Sequence, residues 1–281
     1  MASHGLRKES AMEHIAELIR SRRSVRTYDG KEVSTEDLDK LSSFMSKIDN
    51  PYEIPVKFKM LNAKDQKLSC PVVGGTNLYV GVKAKRMPHI EEAVGYSMEK
   101  LVLYAQSLGI GTVWIGGTMD RGAFERAMEL GEDEIMPCIS PLGYPAKKMS
   151  VKESMMRKAV KADKRLPFEE LFYDGSFDVP MTEAKAGRLE EVLKMVQLAP
   201  SAVNKQPWRV VVSQNAAHFY LKRNKGFISD AVGDMQKIDL GIALCHFALA
   251  AEESGISAGF DLNDPGIAIT DDMEYIASYL F

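Results

Sequence analysis

The 281-residue sequence predicts an α+β fold made of two tandem halves, residues 1–165 and 166–281. Three observations lead there. "TYDG" at 27–30 returns as "FYDG" at 172–175, which pairs Tyr28 with Tyr173 at an offset of 145. A helical stretch with Gly95 and Gly109 fourteen residues apart returns with Gly241 and Gly255 at the same separation, offset by 146. Between these anchors both halves read helix, strand, strand, helix. Self-similarity at a fixed period is the mark of duplication. The alternative is chance agreement between short common motifs. The length suits one large domain or two ordinary ones.

Residues 11–20 read as a short amphipathic helix leading into "SRRSVRTYDG". "STEDLDKLSSFMSKI" (34–48) opens on Ser34 and carries Glu36 and Asp37 in its first turn, as a helix start should. "VKFKMLNA" (56–63) alternates like a half-buried strand, and "NLYVGVKAK" (77–85) is a second strand. Over 92–108, Val94, Met98, Leu101, Val102, Ala105 and Leu108 share one helical face, and Gly109 ends the run. "GTVWIGG" (111–117) reads as a strand or extended loop, and "ISPLGYP" as a strand running into a turn.

In the second half a helix over 185–198 leads into a loop, and Trp208 with "RVVV" reads as core entering a strand. "IDLGIALCHFALAA" (238–251) is apolar almost all the way round. Such a helix must be covered on every side, which suits a position between two packed halves.

Composition removes several classes of function. Hydrophobic residues make up 45% and charged residues 27%, the balance of a soluble globular protein. A net charge of −3 offers no global field for nucleic acid. No run of 18 apolar residues predicts a membrane span, and "MASHGLRKES" lacks the apolar core of a secretory signal. Cys70, Cys138 and Cys245 are far apart and lack zinc spacing, so a reduced, cytoplasmic setting without a metal site is expected. The five histidines form no cluster. Cys245 and His246 are adjacent, and neighbours on a helix point in different directions.

Four stretches carry chemistry. "RRSVR" (22–26) concentrates Arg22, Arg23, Ser24 and Arg26 beside a helix end. Guanidinium forks with a hydroxyl suit a phosphate monoester; the bland alternative is a solvated basic face. "GIGTVWIGG" (109–117) is not a Walker loop, since no Gly-Lys-Ser/Thr follows, nor a dinucleotide fingerprint, because a helix precedes it. Gly116 and Gly117 permit close approach of backbone to a flat ligand, or serve a tight turn. "PSAVNKQPW" (200–208) is a loop whose Ser and Asn side chains suit either turn formation or a polar ring edge. "KADKRLPFEEL" (161–171) sets Lys164 and Arg165 at the boundary between halves, as a linker or a second phosphate clamp.

Together these pieces resemble the FMN-dependent nitroreductase family. The family's R-x-S-x-R/K segment stands at Arg22, Ser24 and Arg26, its P-S-x-x-N-x-Q-P-W segment at 200–208, its G-x-G-T-x-W-I-G-G segment at 109–117, and its G-Y-P with later basic residues at 142–145 and Lys164–Arg165. The order departs from the family, in which the PSxxN segment lies between the first and third pieces. Here it falls in the second half. At an offset of 145 the clamp residues become Pro167, Glu169 and Leu171, and at 146 Gly116 and Gly117 become Leu262 and Asn263. Each half lacks what the other keeps.

Family members are homodimers that bind FMN between subunits. The resemblance therefore implies a tandem, nitroreductase-like subfamily: two half-domains, each a mixed sheet flanked by helices, forming an intrachain pseudo-dimer with one complete FMN site and one decayed site. Carried over by position, Arg22, Arg23, Ser24 and Arg165, with Lys164, would hold the phosphate. Arg26 would face the pyrimidine edge. Gly116 and Gly117, with Ile115 beside them, would reach the N5/O4 edge. Pro200, Ser201, Ala202 and Asn204 would line the opposite side; Ala202 stands where the family often has a second serine.

The implied activity is NAD(P)H-dependent reduction of nitroaromatics or quinones by ping-pong hydride transfer, with no protein acid, base or nucleophile required. The expected partner is a small-molecule electron acceptor, with neither nucleic acid nor membrane, and the expected state is a monomeric pseudo-dimer open to further pairing. The same residues also suit another flavin reaction, an FMN-binding or sensing protein without turnover, or a structural fold with an empty site.

Overall fold

The computed structural model describes residues 12–281. Residue 11, where the first expected helix begins, lies outside them, as do His4 and the opening segment read for a signal. The first half runs α1 (Ile15–Ser21), α2 (Thr35–Met45), β1 (Lys57–Asn62), β2 (Leu78–Lys85), α3 (Ile90–Ser107), α4 (Arg121–Ala127), β3 (Glu134–Ile135), β4 (Ile139–Leu142) and α5 (Val151–Ala159). The second runs α6 (Phe168–Leu171), β5 (Phe172–Asp174), α7 (Glu190–Gln197), β6 (Trp208–Ser213), β7 (Ala216–Lys222), β8 (Ile228–Ser229), β9 (Gly233–Asp234), α8 (Met235–Glu253), β10 (Gly259–Asp261) and β11 (Met273–Leu280). The first half runs α2–β1–β2–α3 without interruption, and the second runs α7–β6–β7–α8 with the two-residue strands β8 and β9 inserted before α8.

Local chemistry explains most boundaries. Ser34 accepts from the Asp37 N–H at 3.1 Å and starts α2, and Asp234 accepts from the Gln236 and Lys237 N–H groups to start α8. The helix expected over 185–198 is shorter: two 3₁₀ turns precede α7, and left-handed Gly187 (φ 56°) opens the second of them. The stretch 111–117 is extended but makes only single bridges, Gly111 to Gly143 and Ile115 to Ile139.

In the first sheet β2 pairs antiparallel with β1 on one side and with β4 and β3 on the other. Parallel pairing enters through the bridges Ser24–Thr112 and Thr27–Gly74. The second sheet has the order β10-β11-β7-β6-β5, with β5 parallel to β6 and the rest antiparallel. The result is an α+β fold of mixed sheets and flanking helices.

The predicted face of α3 packs on the first sheet's core, where Val94, Met98, Leu101, Val102 and Ala105 are buried beside Val80 and Val82. The sequence pattern shows only that face. Gly95, Tyr96, Glu99 and Leu103 are buried too, because α8 covers the other side. A Cβ on Gly95 would lie 2.1 Å from the Ile238 carbonyl oxygen, and one on Gly241 would lie 2.1 Å from that of Glu92. The two repeat anchors thus meet at the helix crossing, backbone against backbone, in reciprocal fashion.

Other features recur at equivalent positions. Gly109 (φ 73°) and Gly255 (φ 71°) follow α3 and α8 in left-handed conformation. Ile110 then donates its N–H to the Ala105 carbonyl at 2.9 Å, and Ile256 to that of Ala251 at 2.8 Å. The Tyr28 hydroxyl donates to the Val25 carbonyl and the Tyr173 hydroxyl to that of Glu170, each three residues back.

The N-terminal helix leans on the other half. Met12, Ile15 and Ile19 join the core around α7 and α8. The Ile15 and Ala16 N–H groups donate to the Glu253 carboxylate at 2.6 and 2.9 Å, so the end of α8 caps the start of α1.

Replacing Gly95 with Ala forces the helices apart and is expected to cost about 3 kcal/mol, with a comparable loss for Gly241→Ala. Chemical denaturation checks both. Glu92, 1% exposed beside the crossing, has one carboxylate oxygen without a hydrogen-bond partner. Burial pushes its pKa up to about 7 from an ordinary 4.5, although Lys237 lies 3.9 Å away. The folded state therefore holds a proton that the unfolded chain releases near pH 4.5. The stability contributed by this group is fully present below pH 4.5 and is lost as the pH rises to and through about 7, by about 3 kcal/mol. Denaturation at pH 5 and pH 8 should show a smaller difference for Glu92→Gln than for the wild type.

Candidate functional site

A cavity of about 490 Å³ lies between the halves. The strand-like segment after α1 supplies Arg22, Arg23, Ser24 and Arg26. The extended segment after α3 supplies Ile115, Gly116 and Gly117, and Arg165 enters from the linker. From the second half come Pro200, Ser201, Ala202 and Asn204. Every site residue expected from the sequence lines this cavity except Lys164. That side chain is exposed, and Lys164 contributes only its carbonyl, which accepts from Asn204 and Arg165. The chain turns there, and the turn directs the neighbouring Arg165 inward instead.

One end of the cavity is cationic. The Arg22 side chain is 6% exposed, with its Nε 3.9 Å from Glu99 Oε1. Arg23 donates to Glu153 Oε1 at 3.1 Å, and the Arg26 N–H donates to Glu153 Oε2 at 3.2 Å. Arg165 donates to the carbonyls of Ala162, Lys164 and Leu198. Arg157 reaches the same space from α5 and pairs with Asp163.

Burial lowers the pKa of Arg22, Arg26 and Arg165, and Arg157 adds repulsion to all three. Their Nε atoms are buried without a hydrogen-bond partner. Buried donors of one sign without partners are costly, and a bound anion would satisfy them.

The opposite wall is a brace. Ser201 Oγ accepts from the Gln206 N–H at 2.8 Å, and Gln206 Oε1 accepts from the Leu166 N–H at 2.9 Å. Asn204 Nδ2 donates to the Lys161 and Lys164 carbonyls at 2.8 and 2.9 Å. The motif thereby ties the linker, and with it Arg165, to the second half. Val203 holds a left-handed backbone (φ 51°), a strained state for a β-branched residue.

Behind the cavity, Glu99 joins the pieces. Its Oε2 accepts from Trp114 Nε1 at 3.0 Å, and its Oε1 lies 3.0 Å from His246 Nε2. His246 Nδ1 in turn lies 2.8 Å from the Met195 carbonyl. His246 and Cys245 are fully buried, and His246 works as a tie between the halves. At the glycine end, Arg121 donates to the Gly116 carbonyl at 2.5 Å and to that of Met136 at 2.8 Å, which fixes the turn. A Cβ on Gly117 would meet nothing within 4 Å and would occupy open space.

Sequence reasoning missed Glu153, Arg157 and Asp239. Ser150 and Glu153 have capping-box spacing, and Ser150 does cap α5, accepting from the Glu153 N–H at 3.1 Å. That pattern hides the carboxylate's work on Arg23 and Arg26. Arg157 sits among other charges on an exposed helix. Asp239 was the legible one, a carboxylate inside an apolar run.

This chain belongs to the family described as "Putative TM nitroreductase", whose model matches residues 14–251. Its fold is similar to the crystal structure of a "putative nitroreductase" from Thermotoga maritima, at 21% identity and a TM-score of 0.61, over 98% of this chain and 99% of that one. A nitroreductase family protein from Clostridium novyi matches at 19% identity and a TM-score of 0.42, over 48% of this chain and 87% of that one. An FMN-dependent nitroreductase from Clostridium difficile matches at 19% identity and a TM-score of 0.40, over 50% of this chain and 94% of that one. No curated protein matches. Among the described residues, no helix is long and apolar enough to cross a membrane.

Asn204→Ala removes both linker hydrogen bonds and should cost about 1–2 kcal/mol of stability. Proteolysis of the ligand-free protein should then cut sooner within 157–166, which mass spectrometry of the fragments would locate.

Proposed function

We propose that the chain is an FMN-dependent NAD(P)H oxidoreductase that reduces nitroaromatic or quinone-like small molecules. We further propose that it is an intrachain pseudo-dimer of halves 1–165 and 166–281 with one working flavin site. One observation carries this reading: the guanidinium groups of Arg22, Arg26 and Arg165, whose buried Nε atoms have no hydrogen-bond partner, and the PSxxN loop of the second half line a single cavity. The reciprocal contact of Gly95 and Gly241 supports the pseudo-dimer, since that is how equivalent surfaces meet across a two-fold.

The residues present fit FMN. Arg22, Arg23, Arg157 and Arg165 would receive its phosphate, with Ser24 adding a hydroxyl. Ile115, Val232, Met235, Ile238 and Ile242 offer an apolar slot for a flat ring. Gly117 leaves its backbone open toward such a ring. When bound, FMN supplies hydride transfer from NAD(P)H to the acceptor. The protein's part is to fix the phosphate, orient the ring and exclude water from one face. Positive charge at Arg26 would favour an electron-rich ring.

The test is FMN titration followed by anaerobic reduction with NADH or NADPH. The wild type is expected to bind one FMN per chain and to be reoxidised by a nitroaromatic. Arg22→Glu and Asn204→Ala should each weaken binding by about tenfold or more, about 1.4 kcal/mol, although they lie in different halves. Mixing the two variants should restore nothing, because both contributions belong to one chain. A colourless protein that takes up no FMN would overturn the function, and rescue on mixing would overturn the intrachain site.

A further inference from the structure

The cavity has a second pole that the phosphate contacts leave unused. Asp239 lines it from α8 and is 3% exposed. One carboxyl oxygen accepts from the Ala202 N–H at 2.9 Å; the other is buried without a hydrogen-bond partner. The influences on this group are burial, the Ala202 N–H and the like charge of Asp234. The arginines, by contrast, act on one another and on Glu99, Glu153 and Asp163. Asp239 stands beside Ala202, one turn of α8 from Met235. Met235, one turn earlier on the same helical face, has its Sδ 3.8 Å from where a Cβ on Gly116 would stand.

A carboxylate sealed from water without a counter-ion is costly, and taking up a proton removes that cost. The group then offers one accepting oxygen, already used by Ala202, and one O–H that has no protein acceptor. We propose that the O–H on the unpartnered side of the Asp239 carboxyl recognises the ring end of the cavity's ligand by donating a hydrogen bond to a ring carbonyl. This inference rests on the flavin reading above, in which that carbonyl is one of the two on the FMN ring. Asparagine is the close mimic, because its carbonyl can serve Ala202 while its amide donates into the cavity.

The experiment measures the Kd of FMN, 2-thio-FMN and 4-thio-FMN for the wild type, Asp239→Asn and Asp239→Ala, with melting temperatures of the ligand-free proteins alongside. Sulfur accepts hydrogen bonds poorly, so the wild type should prefer FMN over one thio analogue. Asp239→Asn should stay within about threefold of the wild type, while Asp239→Ala loses about tenfold for FMN. In Asp239→Ala the preference between FMN and that analogue should vanish. Equal weakening of all three flavins in Asp239→Ala would mean that Asp239 only holds the Ala202 loop, and would overturn the proposal. So would an Asp239→Asn protein as weak as Asp239→Ala. If Asp239→Ala fails to fold, a wild type that binds all three flavins equally is sufficient to overturn it. A wild type that binds none of them overturns the flavin site itself.

Discussion

Two helix backbones meet at Gly95 and Gly241 with no room for a side chain on either. A side chain at either position would collide with a carbonyl of the other helix. That contact sets the spacing between α3 and α8, and those two helices carry several of the groups on which the cavity is built. Glu99, one turn beyond Gly95, anchors Trp114 and lies beside His246 and Arg22. Asp239 and Met235, on the turns before Gly241, form part of the cavity wall. A wider crossing would separate the first half's arginines from the second half's loop. The site thus depends on two residues that have no side chains and never touch the ligand space.

The halves are interlocked rather than merely adjacent. The start of α1 is capped by Glu253 from the end of α8, and its apolar face lies in the second half's core. The "PSAVNKQPW" loop ties back to the linker through Asn204 and Gln206. These bonds hold Arg165 and the linker against the cavity. A motif read as a set of ligand contacts is thus also a mechanical part. Its serine and asparagine donors and acceptors are largely engaged within the protein, whereas the cavity-lining Nε atoms of Arg22, Arg26 and Arg165 and one oxygen of Asp239 are buried without a hydrogen-bond partner.

Much of this was legible from residues near one another in sequence. Ser34 with Asp37, the alternation of 56–63 and the stop at Gly109 are local devices, and each acts within a turn or a strand. The cavity's first-half and second-half residues could be grouped only through the repeat and the resemblance. Glu153 was hidden because its spacing from Ser150 gives it an adequate local role. Lys164 was misplaced because adjacent residues in a turn point in different directions, and spacing alone does not say which faces inward.

The sequence by itself determined several helices and strands, the recurring tyrosine and glycine anchors, and the chemistry available: an excess of guanidinium near residues 22–26, glycines at 116–117 and a turn-forming loop at 200–204. Periodicity and turn preferences are short-range, so they survive in a linear string. Tertiary structure decided which of these groups meet and which charges remain unpaired. Burial and partnership are properties of space, and no run of residues records that Arg22 faces Glu99 across seventy-odd positions or that Asp239 has one oxygen with nothing to bind. The close helix crossing made those decisions, because only a gap of that width brings both halves to one cavity.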